Sequence, residues 1–117
     1  MSFYYVKEGG MVIKFYKTIK WKNKRQNILK RDSYLCQECK RYGKTTEATT
    51  VHHIKPLEFN YDLRFDNNNL ISLCSKCHDK MHDRTNNELT DLGKNLIERI
   101  QKKKFISPHL KINLKRS

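Results

Sequence analysis

Eight side chains between residues 36 and 82 have the chemistry and the spacing of metal ligands. Four are cysteines in two Cys-x-x-Cys knuckles, and each knuckle offers two thiolates to one ion. The other four are histidines, in one adjacent pair and one pair spaced four residues apart. The pattern indicates two kinds of metal chemistry side by side. The cysteines are Cys36, Cys39, Cys74 and Cys77, and the histidines are His52, His53, His78 and His82.

The two knuckles together supply the ligands of a closed tetrahedral zinc site, which holds structure and leaves no position for a reactant. Disulfides or a thioredoxin-like redox pair are the alternatives for such cysteines. We see no signal peptide and no apolar run long enough to span a membrane, so we expect a reducing cytoplasm, no membrane partner and structural Zn²⁺.

The chain has 117 residues, of which 37% are hydrophobic, so it can form one domain with a modest core. Structural zinc in small modules contributes about 10 to 16 kcal/mol of apparent binding free energy, which is comparable to the stability of a whole domain. We therefore expect residues 1–117 to form a single domain whose centre depends on its zinc ion.

The formal net charge of +13 is concentrated at the two ends of the chain. Residues 1–31 carry nine Lys or Arg side chains against one acid, residues 99–117 carry seven against none, and the middle is nearly neutral. A merely soluble surface needs less charge than this. The layout favours a nucleic-acid partner whose phosphates the basic ends neutralise, with salt-sensitive and largely sequence-independent affinity.

Hydrophobic spacing predicts the elements that position these side chains. A helix is expected from an N-cap at Thr18 to Asp32, packed through Trp21 and with a basic outer face. Short strands are expected over 49–54 and 70–73, joined by a polar and aromatic loop. Further helices are expected over 75–84, with His78 and His82 on one face, and over 87–104, where Gly93 should weaken the apolar face.

Adjacent residues of a strand point to opposite faces, so His52 and His53 should have different roles. If the strands form a hairpin with a helix across it, His52, His78 and His82 converge on a second metal ion with open positions. His53 is then left free to take a proton from water.

This ordered set of residues resembles the HNH endonucleases over roughly residues 15–84. The Val51–Leu57 segment resembles the first His box of that family, the Asn69–Cys74 segment its Asn element, and His78 its closing His. The resemblance implies an α+β fold with a small ββα-metal (His-Me finger) core, here joined to a four-cysteine structural zinc site and flanking helices. The cysteine knuckles and small size resemble stand-alone bacteriophage HNH proteins, often found beside DNA-packaging genes.

The resemblance also implies the site roles. It makes His53 the general base, His52 and His78 ligands of a catalytic divalent metal, and Asn69 the residue that fixes the His53 loop. The His-His and His-x-x-x-His arrangement is similar to that of the colicin-type nucleases and adds His82 as a ligand. Three imidazoles favour zinc, nickel or another transition metal over magnesium, which prefers oxygen ligands, and the catalytic ion is expected to be Zn²⁺, Ni²⁺, Mn²⁺ or Mg²⁺. The candidate DNA contacts are Lys20, Lys22, Lys24, Arg25 and Lys55.

The implied activity is metal-dependent hydrolysis of DNA phosphodiester bonds, by nicking or double-strand cleavage, leaving a 5'-phosphate and a 3'-hydroxyl. The expected organisation is a basic arm and helix (1–33), a zinc-knuckle core (34–84), and a C-terminal helix and basic tail (85–117), in a monomer or weak dimer. The large terminase subunit of a phage packaging motor is a candidate partner, in the host cytoplasm. The alternative is a zinc-knuckle DNA-binding or packaging-accessory protein with little nuclease activity of its own.

Overall fold

The computed structural model describes residues 14–83, residue 85 and residues 88–105. The expected basic arm before residue 14 and the basic tail after residue 105 lie outside the described residues. The described part of the chain contains α-helices and strands, and the strands form two small antiparallel sheets. The elements are α1 (Ile19–Arg31), α2 (Gln37–Arg41), β1 (Thr50–His53), β2 (Leu70–Leu73), α3 (Ser75–Met81), β3 (His82–Asp83), β4 (Glu88–Leu89) and α4 (Asp91–Phe105).

Helix α1 begins where the sequence predicts, because the Thr18 hydroxyl caps it by accepting a hydrogen bond from the Trp21 amide at 3.1 Å. Trp21, Ile28 and Leu29 form its buried face, and Asp32 caps its C-terminus. The chain then turns sharply into α2. It does so through two consecutive residues at positive φ, Ser33 and Tyr34.

The β1–β2 hairpin separates two hydrophobic clusters. Its strands pair antiparallel with His52 opposite Ile71 and His53 opposite Leu70. One face packs against α1 through a cluster that includes Trp21 and Val51. The other packs against the cysteine knuckles, α3 and α4 through a cluster that includes Leu73 and the cysteines. The loop expected between the strands contains two short 3-10 turns, Tyr61–Leu63 and Asn67–Asn69.

The prediction that the helix after the second knuckle continues to Arg84 is wrong: α3 ends at Met81, and His82 begins β3. Thr90 explains the stop. Its hydroxyl donates to the Lys80 carbonyl at 2.5 Å, and its amide donates to the Met81 carbonyl at 3.0 Å. These carbonyls would otherwise accept hydrogen bonds from the next helical turn, so a tertiary contact ends the helix.

The last helix also differs from the prediction, since α4 starts at Asp91 and Leu89 lies in β4. Within α4, Leu96 is buried, whereas Leu92 is exposed. Gly93 has a packing role that the sequence did not predict. A Cβ there would lie 2.6 Å from the Met81 carbonyl oxygen, so the glycine permits the close approach of α4 to the end of α3.

The knuckle helix α2 is tied to α4 by a buried acid. Glu38 accepts from Arg99 at 3.0 Å and from Arg41 at 3.3 Å, so one cation of the basic C-terminal segment serves the fold. No helix in the described part of the chain combines the length and the apolar character needed to cross a membrane.

Candidate metal centres and catalytic site

The four cysteines meet in one cluster between α2, β2 and α3. Their sulfur atoms all lie within 4.8 Å of one another, and none is in a disulfide. Thr46 lowers the pKa of Cys39 to about 7, whereas burial raises the pKa values of Cys36 and Cys77. Four thiolates packed this closely repel one another unless a cation lies among them, so the cluster fits a closed Cys₄ zinc site.

Three histidines from β1, α3 and β3 form the second cluster. His52 projects from β1, His78 from α3, and His82 from the residue after α3; their ring centroids are 5.0 to 5.2 Å apart. One nitrogen of each lies within 4.8 Å of the others. His78 and His82 thus converge even though they do not share a helix.

The surroundings of His52 indicate whether a metal ion fits this cluster. Its side chain is 2% exposed, and its Nε2 has no hydrogen-bond partner among the residues that the structure describes. Burial, reinforced by the neighbouring His78, His82 and His53, holds the pKa of His52 well below its usual value. A neutral buried imidazole with an unpartnered nitrogen suits a divalent metal ion, which only neutral histidine can bind.

His53 lies on the opposite face of β1, as strand alternation predicts, but the structure differs from the expectation of a free imidazole. The side chain is 6% exposed and stacks on Trp21, with ring centroids 5.0 Å apart. Its Nε2 is 3.2 Å from the Arg64 carbonyl oxygen, and its Nδ1 is 3.4 Å from the Tyr16 hydroxyl. Burial lowers the pKa of His53 to about 4, so the ring is neutral at neutral pH.

Asn69 holds the main chain two residues after His53. Its Oδ1 accepts from the Lys55 amide at 2.8 Å, and its Nδ2 lies 3.3 Å from the Lys55 carbonyl oxygen. The Asn69 carbonyl accepts from the Ile54 amide at 2.8 Å. One 5% exposed residue therefore fixes both residues that follow His53, which is the geometry that the expected role of Asn69 requires.

Arg31 and Asp32 support the Asn69 turn, and the sequence did not single them out. Arg31 donates to the carbonyls of Asn67 at 2.9 Å and Leu70 at 2.8 Å, on either side of Asn69. Asp32 accepts from Arg31 at 2.8 Å and from the Ser72 amide at 3.0 Å. The signal available in the sequence was only a charge pair at a helix end, which is common in exposed helices.

Some of the candidate DNA-contacting side chains are exposed, and others already donate hydrogen bonds to groups of the protein. Lys20 and Lys22 are exposed on α1, with the Lys20 ammonium 4.6 Å from the centroid of Phe65. Lys24 donates to the Asn67 side chain at 2.7 Å. Arg25 donates to the Thr49 carbonyl at 2.8 Å, so its guanidinium helps to join α1 to the start of β1. Lys55 is half-buried beside the Asn69 clamp.

Tyr16 and Arg64 also reach the site without having been predicted. They contact His53 from 37 and 11 residues away along the chain. Arg64 stacks its guanidinium 4.3 Å from the centroid of Tyr61 and donates to the Tyr61 carbonyl at 2.9 Å. Neither contact follows a periodic pattern, so no sequence signal marked these residues.

Comparisons with known proteins agree on one family. The family model described as HNH endonuclease matches residues 36–84. Among solved structures, the chain is similar to the HNH endonuclease of the deep-sea thermophilic bacteriophage GVE2, crystallised with a manganese ion, with 40% sequence identity and a TM-score of 0.59. That match covers 60% of this chain and 76% of the phage protein. A search of curated proteins found no significant match.

Proposed function

This chain belongs to the HNH endonuclease family, and from that premise we propose that its histidine cluster holds the metal ion with which it hydrolyses DNA phosphodiester bonds. The observation that carries the proposal is the buried, unpartnered Nε2 of His52 beside His78 and His82. A purely structural hairpin has no need for an orphaned imidazole nitrogen, because an unsatisfied buried polar atom destabilises the fold. A divalent ion would satisfy it.

The hydrolysis needs a proton acceptor for water and a stabiliser for the departing 3'-oxygen. His53 is the acceptor in this proposal, because it is a neutral imidazole next in sequence to a metal ligand. Asn69 fixes the segment after His53 and so limits the movement of the ring. A bound divalent ion supplies Lewis-acid stabilisation of the phosphate and the leaving oxygen.

The ligand chemistry suggests which ions serve each cluster. Three imidazole nitrogens favour Zn²⁺, Ni²⁺ or another transition metal over Mg²⁺, and the similar phage endonuclease was crystallised with manganese. The four cysteines suit Zn²⁺ because thiolate is a soft ligand and the tetrahedron leaves no open position. We assign the cysteine cluster to folding and the histidine cluster to catalysis.

The DNA backbone is the partner for the basic face of α1. Lys20 and Lys22 are exposed, and together with Lys24, Arg25 and Lys55 they would line the phosphates on either side of the scissile bond. Such contacts position the duplex without reading its sequence. Arg25 and Lys24 would have to exchange their present partners or share them with phosphate.

The described part of the chain holds one histidine cluster, which supports nicking by a monomer, with double-strand cleavage requiring a second copy. We further propose, from the family resemblance, a role in phage DNA packaging beside the large terminase subunit in the host cytoplasm. The closed surroundings of His53 favour a second candidate function. In that case the protein is a DNA-binding packaging accessory with little intrinsic activity until a partner binds.

The test is nicking of supercoiled plasmid by purified protein, with Mg²⁺, Mn²⁺, Zn²⁺ or Ni²⁺ added singly after mild chelation. The variant His53→Ala should lose about 10²- to 10⁴-fold in rate, the usual worth of general-base catalysis, while still binding DNA. His109→Ala is the matched control, because that histidine is not one of the proposed site residues. Nicked and linear products separate on a gel and distinguish the two cleavage modes.

Normal cleavage by His53→Ala would exclude His53 as the base. If no ion supports nicking but both proteins bind DNA in a salt-sensitive way, the accessory function replaces the nuclease. Stimulation by a purified large terminase subunit would then support the packaging role, and its absence would remove it.

A further inference from the structure

The contact with Arg64 decides which nitrogen of His53 carries the proton. A carbonyl oxygen only accepts hydrogen bonds, so the Arg64 oxygen, 3.2 Å away, places the ring proton on Nε2. The lone pair of the neutral ring is then on Nδ1. If His53 is the general base, Nδ1 is the atom that must face the attacking water.

That position is taken by the hydroxyl of Tyr16. It lies 3.4 Å from Nδ1 and donates toward the lone pair, as the proton of an attacking water would. Trp21 stacks on the ring, and Phe15 packs edge-on with centroids 5.9 Å apart. With both nitrogens partnered and 6% of the side chain exposed, His53 is closed to water in this conformation.

The two polar contacts of His53 differ in how easily they open. The Arg64 carbonyl belongs to a turn in which the Arg64 amide bonds to the Tyr61 carbonyl at 3.1 Å and the Asn69 side chain lies 3.5 Å from the Leu63 carbonyl oxygen. Tyr16, in contrast, makes a long hydrogen bond and is half-exposed. Rotation of the Tyr16 side chain about its own bonds would give up this hydrogen bond and the edge-on contacts of its ring with Phe15 and Trp21, whose centroids lie 5.4 and 5.6 Å away, without moving the main chain.

Phe15 shows that the main chain need not move with Tyr16. Phe15 is 4% exposed and packs against Trp21 with ring centroids 5.2 Å apart. Its carbonyl accepts from both the amide and the hydroxyl of Thr18, the residue that caps α1. Phe15 therefore anchors the main chain next to Tyr16, both through its buried ring and through its carbonyl group.

We infer that the Tyr16 side chain is an autoinhibitory cover on His53, which occupies the place of the attacking water and must rotate outward before cleavage. The inference rests on the proposed function, since it concerns the access of water to the proposed base. The closed and open positions form a two-state equilibrium, and the observed rate is proportional to the open fraction. Weakening the cover therefore raises the rate without any new catalytic group.

The test compares Tyr16→Phe and Tyr16→Ala with wild type in the plasmid-nicking assay, using protein loaded with metal. Loss of one hydrogen bond of ordinary strength shifts such an equilibrium about two- to tenfold, so Tyr16→Phe should nick faster by that factor. Tyr16→Ala should be at least as fast. Tyr42→Phe, at an exposed tyrosine on the knuckle turn, is the control and should leave the rate unchanged.

A second measurement reports how accessible His53 is beneath the Tyr16 side chain, without relying on cleavage. Diethyl pyrocarbonate modifies accessible histidine nitrogens, and peptide mapping separates His53 from His52. Modification of His53 should be faster in both Tyr16 variants and unchanged in Tyr42→Phe. Melting temperatures and DNA affinities of all variants, measured in parallel, identify any general loss of structure.

Slower or unchanged nicking by correctly folded Tyr16→Phe and Tyr16→Ala would overturn the inference that Tyr16 inhibits the enzyme by covering His53. A slower rate would instead assign the hydroxyl a supporting role at His53. If wild type and His53→Ala nick at equal rates, His53 is not the general base, whatever the Tyr16 variants show. The modification rates then decide the cover separately: faster modification of His53 sustains it as a lid on that residue, and an unchanged rate removes it.

Discussion

At the scale of single residues, the site depends on polar side chains that hold main chain as much as on the groups that would do chemistry. The Asn69 side chain contacts both the amide and the carbonyl of Lys55, and Arg31 donates to the carbonyls of residues on either side of Asn69. The resemblance to a family pointed to Asn69. It did not point to Arg31, because a guanidinium binding carbonyls leaves no periodic trace in a sequence.

Replacing Asn69 with alanine should lower the cleavage rate through misorientation of the His53 segment, by about 10- to 100-fold, the usual cost of losing an outer-shell partner. DNA affinity should change little, since Asn69 is buried. The measurements are single-turnover nicking, DNA binding and circular dichroism. Asn68→Ala, at the exposed neighbour, is the control. A collapse of the fold would assign Asn69 to stability instead.

Asp32 gives a prediction about pH. Burial opposes its ionisation, but hydrogen bonds from Arg31 and Ser72 outweigh burial and hold the pKa of Asp32 below its usual value of 3.8. A group with a lowered folded-state pKa stabilises the fold above its unfolded pKa, and that contribution is lost only as the pH falls through the folded value.

Asp32→Asn should therefore lower the free energy of unfolding by about 1 kcal/mol at pH 7, and the difference from wild type should stay constant between pH 8 and pH 5. Denaturant unfolding at several pH values measures it. The range stops at pH 5 because the cysteine ligands take up protons in stronger acid. If the difference in unfolding free energy between wild type and Asp32→Asn narrows within this range, the pKa of Asp32 is higher than its contacts imply.

At the scale of elements, the local signals placed α1, β1 and β2 well, but they missed the end of α3, the start of α4 and the β3–β4 pair. The Thr18 cap and the alternation in β1 act within a few residues, so they can be recognised from the sequence. The end of α3 depends on Thr90, which lies beyond β4. Leu89 fits the helical period of the apolar residues in α4, but pairing of Glu88–Leu89 with His82–Asp83 holds it in an extended strand.

Gly93 provides a test in which local propensity and tertiary packing predict opposite signs. Alanine is favoured over glycine within a helix by about 1 kcal/mol, so propensity alone predicts that Gly93→Ala stabilises α4. The added Cβ would lie 2.6 Å from the Met81 carbonyl oxygen and 3.0 Å from Leu89, and overpacking of this kind costs about 1 to 3 kcal/mol.

We expect Gly93→Ala to lower the melting temperature and Asn95→Ala, at an exposed position of the same helix, to raise it slightly. Thermal unfolding followed by circular dichroism measures both. An increase in both variants would mean that α4 can move away from Met81 at little cost.

At the scale of the whole molecule, the two metal clusters should contribute differently to stability. The four cysteines join α2 to the start of α3 and lie inside a hydrophobic cluster, whereas the histidine cluster includes two half-buried rings. Loss of the first removes a centre of the fold. Loss of the second leaves the hydrophobic clusters on both faces of the hairpin in place.

Cys36→Ser, or complete chelation of zinc, should therefore unfold the protein, because the binding free energy of such a zinc site rivals the stability of the domain. His78→Ala should keep the circular dichroism spectrum and lose one metal ion per chain, together with the nicking activity. Metal content and thermal unfolding of the two variants provide the comparison. An unchanged spectrum after zinc removal, or equal unfolding of both variants, would contradict it.

The sequence by itself determined which cysteines and histidines are candidate ligands and that His52 and His53 face opposite ways, because these follow from residue type, short spacing and the two-residue period of a strand. Only the tertiary structure decided that His82 joins the cluster from beyond the end of α3, that Gly93 is a contact point, and that Tyr16 lies on His53. Those outcomes depend on contacts between distant segments, which no local period encodes.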